Sequence, residues 1–239
     1  MREDLMVSEG FSPDPYFDYD AVVIGAGIAG LYQLYRLRES GVRVRVFESG
    51  AGVGGTWYWN RYPGARFDSE SYSYAYSFSQ ELLDEWDWSE HFASQPEILG
   101  YLQHVADKFD LLKDIQFSSN VRSAIYDEDS RCWRVEIDDG NTYRTRFLIT
   151  AIGILSEPTL PRIQGVESFG GRSFHTARWP HEPVDFRGGR IAVIGTGASG
   201  VQTIQEVAKD VGQLIVFQRR PNWCAPLNNG KIESDEMGN

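Results

Sequence analysis

Two glycine clusters, and the residue types that follow them at a fixed distance, carry most of the chemistry in this sequence. The stretches "AVVIGAGIAG" (residues 21–30) and "IAVIGTGASG" (residues 191–200) each run a short apolar segment into G-x-G-x-x-G. In each case 17 residues separate the last glycine from a polar side chain closing the next apolar run, Glu48 in the first copy and Gln218 in the second. Gly25 permits a tight turn, Gly27 admits a pyrophosphate close to the backbone, and Gly30 lets helix and strand approach. Gly195, Gly197 and Gly200 repeat these offsets. The helix that starts beyond such a turn offers N–H donors and partial positive charge to an anion. Glu48 can accept hydrogen bonds from the ribose hydroxyls of an adenine dinucleotide. The second copy lacks the acid and continues into Arg219 and Arg220. A guanidinium there suits a 2′-phosphate, so the second site reads as NADP rather than NAD. Arg219 is the stronger candidate; an exposed basic pair is the alternative. One flavin site and one hydride-donor site make an electron-transfer layout.

These residues need strands and helices to hold them. "LYQLYRLRESG" places Leu31, Leu34, Tyr35 and Leu37 at helical spacing before a Ser40-Gly41 stop, and "VRVRVFE" alternates as a strand, completing a βαβ unit. "SQPEILGYLQHVADKFDL" predicts a helix with a Ser94/Glu97 capping box, an apolar face of Ile98, Leu102, Val105 and Phe109, and His104 on the wet side. "IQFSSNV" reads as a further strand segment. A hairpin runs from "CWRVEI" through "DDGN" to "TYRTRF", and the apolar "LITAIG" returns the chain to the sheet. The expected fold class is α/β: two three-layer Rossmann-like units, the first with an inserted β-hairpin, the second expected to be incomplete. The expected boundaries are an arm over 1–18, a first domain over 19–155, a second over 156–227, and a tail over 228–239.

Between the two motifs, "GGTWYWNRYPGARFDSESYSYAYSF" is rich in aromatics and punctuated by Gly54-Gly55 and Pro63-Gly64, as a loop walling a ring system would be. Tyr72, Tyr74, Tyr76 and Phe78 alternate with small residues and are expected on one strand face, in core packing or against a ligand. Asp68 could orient a cation or tune a neighbour's pKa, or serve as a surface or capping group.

The 239 residues are 41% apolar, enough for a large core, and the net charge of −11 argues against nucleic acid or anionic membrane as partner. Cys132 and Cys224 are too far apart for a paired redox or metal pattern, which fits a reducing, cytoplasmic setting and no metal site. No apolar run reaches the length of a membrane span.

The stretch "FGGRSFHTARWP" (169–180) fits F-x-G-x-x-x-H-x-x-x-W-P through Phe169, Gly171, His175, Trp179 and Pro180, with a G-x-G-x-x-G on either side. With "GGTWYWNRYPGAR" and "ASQPEIL", it resembles the type I Baeyer–Villiger monooxygenases over about residues 18–227. The resemblance implies FAD and NADPH as cofactors and a ketone and dioxygen as substrates. The products implied are an ester or lactone. It implies that Gly25, Gly27, Gly30 and Glu48 hold the adenosine end of FAD. Gly55, Thr56, Trp57, Asp68 and Tyr74 would lie along the rest of that cofactor, with Val121 near its adenine. Arg66, the loop of Gly195, Thr196, Gly197, Ser199, Gly200 and Gln202, and Arg219 and Arg220 would contact NADP.

Asp68, His175 and Trp179 are the candidate catalytic residues, the last two as a hinge or latch on the linker rather than as acid or base. In the family Asp68 pairs with a later arginine, which this sequence does not contain. The expectation is therefore either a fragment or a chain completed by a second one. Two other readings remain open: a catalytically silent nucleotide-binding fragment, and a monooxygenase acting on nitrogen or sulfur.

Overall fold

The computed structural model describes residues 14–233. The chain divides into two compact units, one formed by residues up to Tyr58 together with Leu102–Ser156, the other by Trp59–Tyr101 together with residues from Glu157 onward. It is mixed α/β, with a parallel-rich central sheet.

The first unit is organised by a six-stranded sheet in the order β3-β2-β1-β6-β5-β4. Its strands are β1 (Tyr19–Ile24), β2 (Val44–Phe47), β3 (Ile115–Gln116), β4 (Val121–Asp127), β5 (Cys132–Ile137) and β6 (Thr142–Thr150). β1 is paired in parallel with β2 on one side and β6 on the other, and residues Asp20 to Val23 are buried. Continuous burial explains why Ala21–Ile24 is an apolar run, as expected of a parallel strand covered on both faces, and the one buried charge, Asp20, is paired with Arg43 at 2.9 Å. The helix α1 (Ile28–Glu39) buries Leu31 and Leu34 and ends at Ser40, followed by Gly41 at φ +71°, as the stop signal predicts. Val22, Phe47, Val135 and Ile137 form a core cluster that spans the parallel and antiparallel halves of the sheet. Fully burying side chains of this size stabilises by about 1.5–3 kcal/mol each.

β6 serves both halves. Thr142–Thr145 pairs antiparallel with β5, and from Thr145 to Thr150 the same strand runs parallel to β1. The second arm of the predicted hairpin and the predicted apolar return are thus one continuous strand, and the hairpin turns between β5 and β6 at Asp138–Asn141, with Gly140 at φ +88°. "IQFSSNV" is not a single strand: Ser118, at φ +50°, separates β3, which pairs with β2, from β4, which pairs with β5.

In the second unit, three short helices, α2 (Thr56–Trp59, which begins in the first unit), α3 (Ser71–Tyr74) and α4 (Gln80–Glu85), precede the longer α5 (Gln95–Lys108), whose residues from Leu102 onward belong to the first unit. The expected apolar face of α5 holds at Ile98, Leu102 and Val105, all buried, with Tyr101 and Ala106 added to it, whereas Phe109 lies just past the helix end, half-buried against Tyr35. Two expectations for this helix need correcting. His104 is half-buried rather than on the wet side, and the Glu97 carboxylate accepts the N–H and hydroxyl of Ser89, both at 2.7 Å, instead of closing a box on Ser94. β7 (Arg190–Ile194), α6 (Ala198–Val207) and β8 (Gln213–Phe217) form a second βαβ whose two strands pair in parallel. Residues 229–232 lie against 89–92: the N–H of His91 donates to Gly230, that of Ile232 to Ser89, and the Asn229 side chain bonds Glu90 and Phe92. The last residues of the sequence, 234–239, and the first thirteen of the expected arm lie outside the described residues.

Candidate functional site: two glycine turns

The first turn is built from backbone. β1 delivers the chain to Gly25, at φ +102°, whose N–H donates to the Phe47 carbonyl at 2.8 Å across the strand pair. A Cβ on Gly25 would stand 2.6 Å from the Ala151 oxygen, and one on Gly30 would stand 1.9 Å from the oxygen of Gly25 itself. Gly30 therefore answers first to the turn that precedes it, and only then to helix–strand packing. Gly27 caps α1 in extended backbone, with no side-chain cap and no acidic residue in the first turn. The helix end thus stays open to an anion.

Glu48 closes this turn from below. It is 4% exposed; one carboxylate oxygen accepts the Ala26 N–H at 2.7 Å, the other the Gly50 N–H at 2.6 Å and the Ser49 hydroxyl at 3.3 Å. A carboxylate has about four acceptor positions, so capacity for sugar hydroxyls remains. Beyond the ligand role that its spacing suggests, Glu48 ties the glycine loop to the end of β2, a role that no local sequence pattern signals. Gly55 comes so close to Gly27 that a Cβ on it would lie 2.8 Å from the Gly27 Cα, and the Gly54 N–H bonds the Ala26 carbonyl. Thr56 is exposed at the start of α2 and Trp57 is buried. Val121, half-buried, opens β4 two residues after Ser119, whose N–H donates to the Glu48 carbonyl. Gly25, Gly27, Gly30, Glu48, Gly55 and the start of β4 are thus brought together.

The second turn repeats the construction. Gly195 has φ +104° and donates to the Phe217 carbonyl at 2.9 Å; a Cβ on Gly200 would lie 2.6 Å from the Gly195 oxygen. Gly197 caps α6 in extended backbone, again with no side-chain cap and no acid in the first turn. Ser199 lies in that first turn, its carbonyl accepting the Thr203 hydroxyl at 2.8 Å. Gln218, Arg219 and Arg220 are exposed beyond β8, and Thr196 is tied to that segment through the Arg220 carbonyl and the Asn222 amide. The Gln202 side chain points elsewhere: its Oε1 accepts the Tyr62 hydroxyl at 2.8 Å and its Nε2 donates to the Arg66 carbonyl at 3.0 Å. Tyr62 is 8% exposed, and burial raises its pKa, opposed by a hydrogen bond with Ser199 and reinforced by the charge of Asp68.

The aromatic segment departs from expectation. Tyr72, Tyr74, Tyr76 and Phe78 do not share a strand face: residues 71–74 form α3, Tyr72 is exposed, Tyr74 stacks on Phe67 at 4.6 Å, and Tyr76 packs against Phe78 and Tyr101. Among the described residues this segment meets no strand partner, and π-surface is covered by aromatic contacts instead. Asp68 is exposed, whereas the Arg66 guanidinium is engaged by the Glu90 carboxylate at 3.0 Å and the Phe92 carbonyl at 3.2 Å. His175 caps a short 3-10 turn over Thr176–Arg178, its Nδ1 accepting the Ala177 N–H at 3.1 Å. Trp179 packs between Phe174 and Phe186, and the Arg178 guanidinium lies 4.8 Å from the Trp59 ring centre.

Among the described residues no group of metal-ligating side chains is assembled, and no helix is long and apolar enough to cross a membrane. Cys132 is buried and Cys224 exposed, each a free thiol.

A family model described as flavin-binding monooxygenase-like matches residues 19–230. An acetone monooxygenase (methyl acetate-forming) from a Gordonia species is 50% identical over 218 residues, covering 91% of this chain and 41% of that protein. Of solved structures, an oxidized steroid monooxygenase bound to NADP superposes with a TM-score of 0.89 at 53% identity, covering 92% of this chain and 42% of the other. OTEMO in complex with FAD and NADP gives a TM-score of 0.89 at 48% identity, covering 93% and 43%. The chain spans about two fifths of the length of the relatives it matches.

Proposed function

Because the chain belongs to the flavin-binding monooxygenase-like family, we propose that it provides the FAD cradle and the first part of the NADPH cradle of a Baeyer–Villiger monooxygenase. The net reaction is ketone + O2 + NADPH + H+ to ester or lactone + NADP+ + H2O, and bound flavin supplies the step that couples the nicotinamide to dioxygen. The observation that carries this reading is the doubled glycine turn with opposite chemistry at its sugar end: a buried carboxylate, Glu48, in the first copy, and Gln218-Arg219-Arg220 in the second. The uncapped, acid-free N-termini of α1 and α6 fit diphosphate groups in both.

In this reading residues 19–155 form the FAD domain and 156–227 the NADP domain, each on a Rossmann-like βαβ. Gly27 and the first turn of α1 hold the pyrophosphate, Glu48 accepts from ribose hydroxyls, and Gly55, Thr56, Trp57, Asp68 and Tyr74 lie along the remaining length of the cofactor. Thr196, Gly197 and Ser199 receive the NADP diphosphate, and Arg219, aided by Arg220, takes the 2′-phosphate by charge-assisted hydrogen bonds. Arg66 serves the same cofactor while anchored by Glu90. His175 and Trp179 hold the linker so that nicotinamide position and flavin stay coupled.

Anaerobic addition of NADPH or NADH, followed spectrally, and then of air with a cyclic ketone, tests the reading. Bleaching of a flavin band by NADPH in preference to NADH, and lactone after aeration, are expected. A colourless protein indifferent to the 2′-phosphate would sink it; turnover of sulfides or amines without ketones would move it to the heteroatom class.

A further inference from the structure

The tie between Tyr62 and α6 was visible in no motif, since its partners stand 140 positions apart. Resting on the NADP reading of the second glycine turn, we propose that Tyr62 is a positioning residue for that site, acting through Gln202. Three observations converge on it. The Tyr62 hydroxyl donates to Gln202 Oε1 at 2.8 Å, and Gln202 Nε2 donates to the Arg66 carbonyl at 3.0 Å, so one amide bridges both ends of the loop 62–66. At the middle of that loop, Gly64 has φ +81° and lies so close to α6 that a Cβ would stand 2.6 Å from the Gln202 oxygen and 2.8 Å from Glu206 Cγ. Tyr62 is buried, and its hydroxyl also reaches Ser199, in the first turn of α6.

A helix whose N-terminal N–H groups must meet a diphosphate needs that turn held still, and α6 has neither a side-chain cap nor an acidic first-turn residue to hold it. Loop 62–66 supplies the missing brace from outside the βαβ, and it fixes the Arg66 backbone at the same time. The Gln202 side chain, occupied at both ends, therefore acts on the cofactor indirectly.

The test is titration calorimetry of NADP+ onto the FAD-loaded protein, with flavin content and melting temperature recorded alongside. Tyr62→Phe removes the hydroxyl and keeps the ring; loss of a hydrogen bond that orders the turn is expected to raise Kd about fivefold to tenfold, with flavin content unchanged. Gln202→Leu should do the same, and the double variant should be no worse than the weaker single one, because both cut one chain of contacts. Tyr72→Phe, on the exposed neighbour that bonds Glu70, should leave Kd as it is. Faster amide exchange at Gly200–Thr203 in Tyr62→Phe would mark the loosened turn. Unchanged affinity in Tyr62→Phe, or losses that simply multiply in the double variant, would overturn the positioning role while leaving the NADP reading intact. No NADP+ binding by the parent protein would instead remove the NADP reading, and the positioning role with it.

Discussion

β1 and β7 lead into turns of the same backbone geometry, Gly25 at φ +102° and Gly195 at φ +104°, but they lie in different surroundings. β1 has parallel partners on both sides and is buried from Asp20 to Val23; within the described residues β7 pairs with β8 alone and alternates exposed and half-buried positions. A Cβ on Gly25 meets the Ala151 oxygen, whereas one on Gly195 or Gly197 meets nothing within 4 Å. The turn is thus encoded locally, by glycine and a cross-strand hydrogen bond, while its protection comes from distant strands. Ile194, Val216 and Phe217, the second copy's counterparts of Ile24, Val46 and Phe47, are exposed for that reason.

The largest expected effect is a pairwise difference in stability. Gly25→Ala adds a backbone clash to an unfavourable positive φ and should destabilise by about 3–5 kcal/mol, whereas Gly195→Ala carries the conformational term alone, about 1–2 kcal/mol. Denaturant unfolding measures both, and equal losses would break the contrast.

Next comes the sugar end. Glu48→Gln replaces a charged acceptor of two backbone N–H groups and should cost about 2 kcal/mol of stability together with flavin retention. Gln218→Glu, which copies the first site's chemistry into the second, should weaken NADP+ about tenfold and leave NAD+ near its starting affinity, as fluorescence titration would show. If the two cofactors weakened alike, charge at this position would not set the preference.

Arg219→Ala should raise the NADP+ Kd about tenfold while NAD+ changes little. Arg220→Ala should do less, since Arg219 is the nearer to Gln218 and the backbone carbonyl of residue 220, which accepts the Thr196 hydroxyl, is kept. The smallest effect belongs to His175→Ala, which removes the acceptor for the Ala177 N–H; about 0.5–1 kcal/mol of stability is expected to go, with flavin content near normal and NADPH consumed without matching product. Loss of flavin in that variant would place His175 in the first cradle instead.

Much of this could be read from the sequence where the controlling interactions are local. The glycine offsets, the helix from Ile28 to its Ser40-Gly41 stop, and the Asp138–Asn141 hairpin each follow from residues within a few positions of one another. Where a distant partner decides, the reading failed. Alternation in Tyr72–Phe78 suggested a strand, but a strand needs a neighbour, and Phe67 and Tyr101 took up those rings instead. The spacing of Ser94 and Glu97 suggested a capping box, but the Glu97 carboxylate takes the N–H and hydroxyl of Ser89, eight residues back. The structural half of Glu48's role, and all of Tyr62's, arise from backbone brought close by folding.

The dual pairing of β6 bears on how the protein can be handled. Thr145 faces Tyr19 on one flank and Trp133 on the other, so the antiparallel arm and the cofactor-side strands form a single mechanical body. Trimming the arm to obtain a minimal flavin module would unzip the strand that holds β1. The exposed tip at Asp139–Gly140 lies at the opposite end of β6 from Ala151, which meets Gly25, and a fluorophore or affinity handle inserted there should ride along without disturbing the flavin's spectrum.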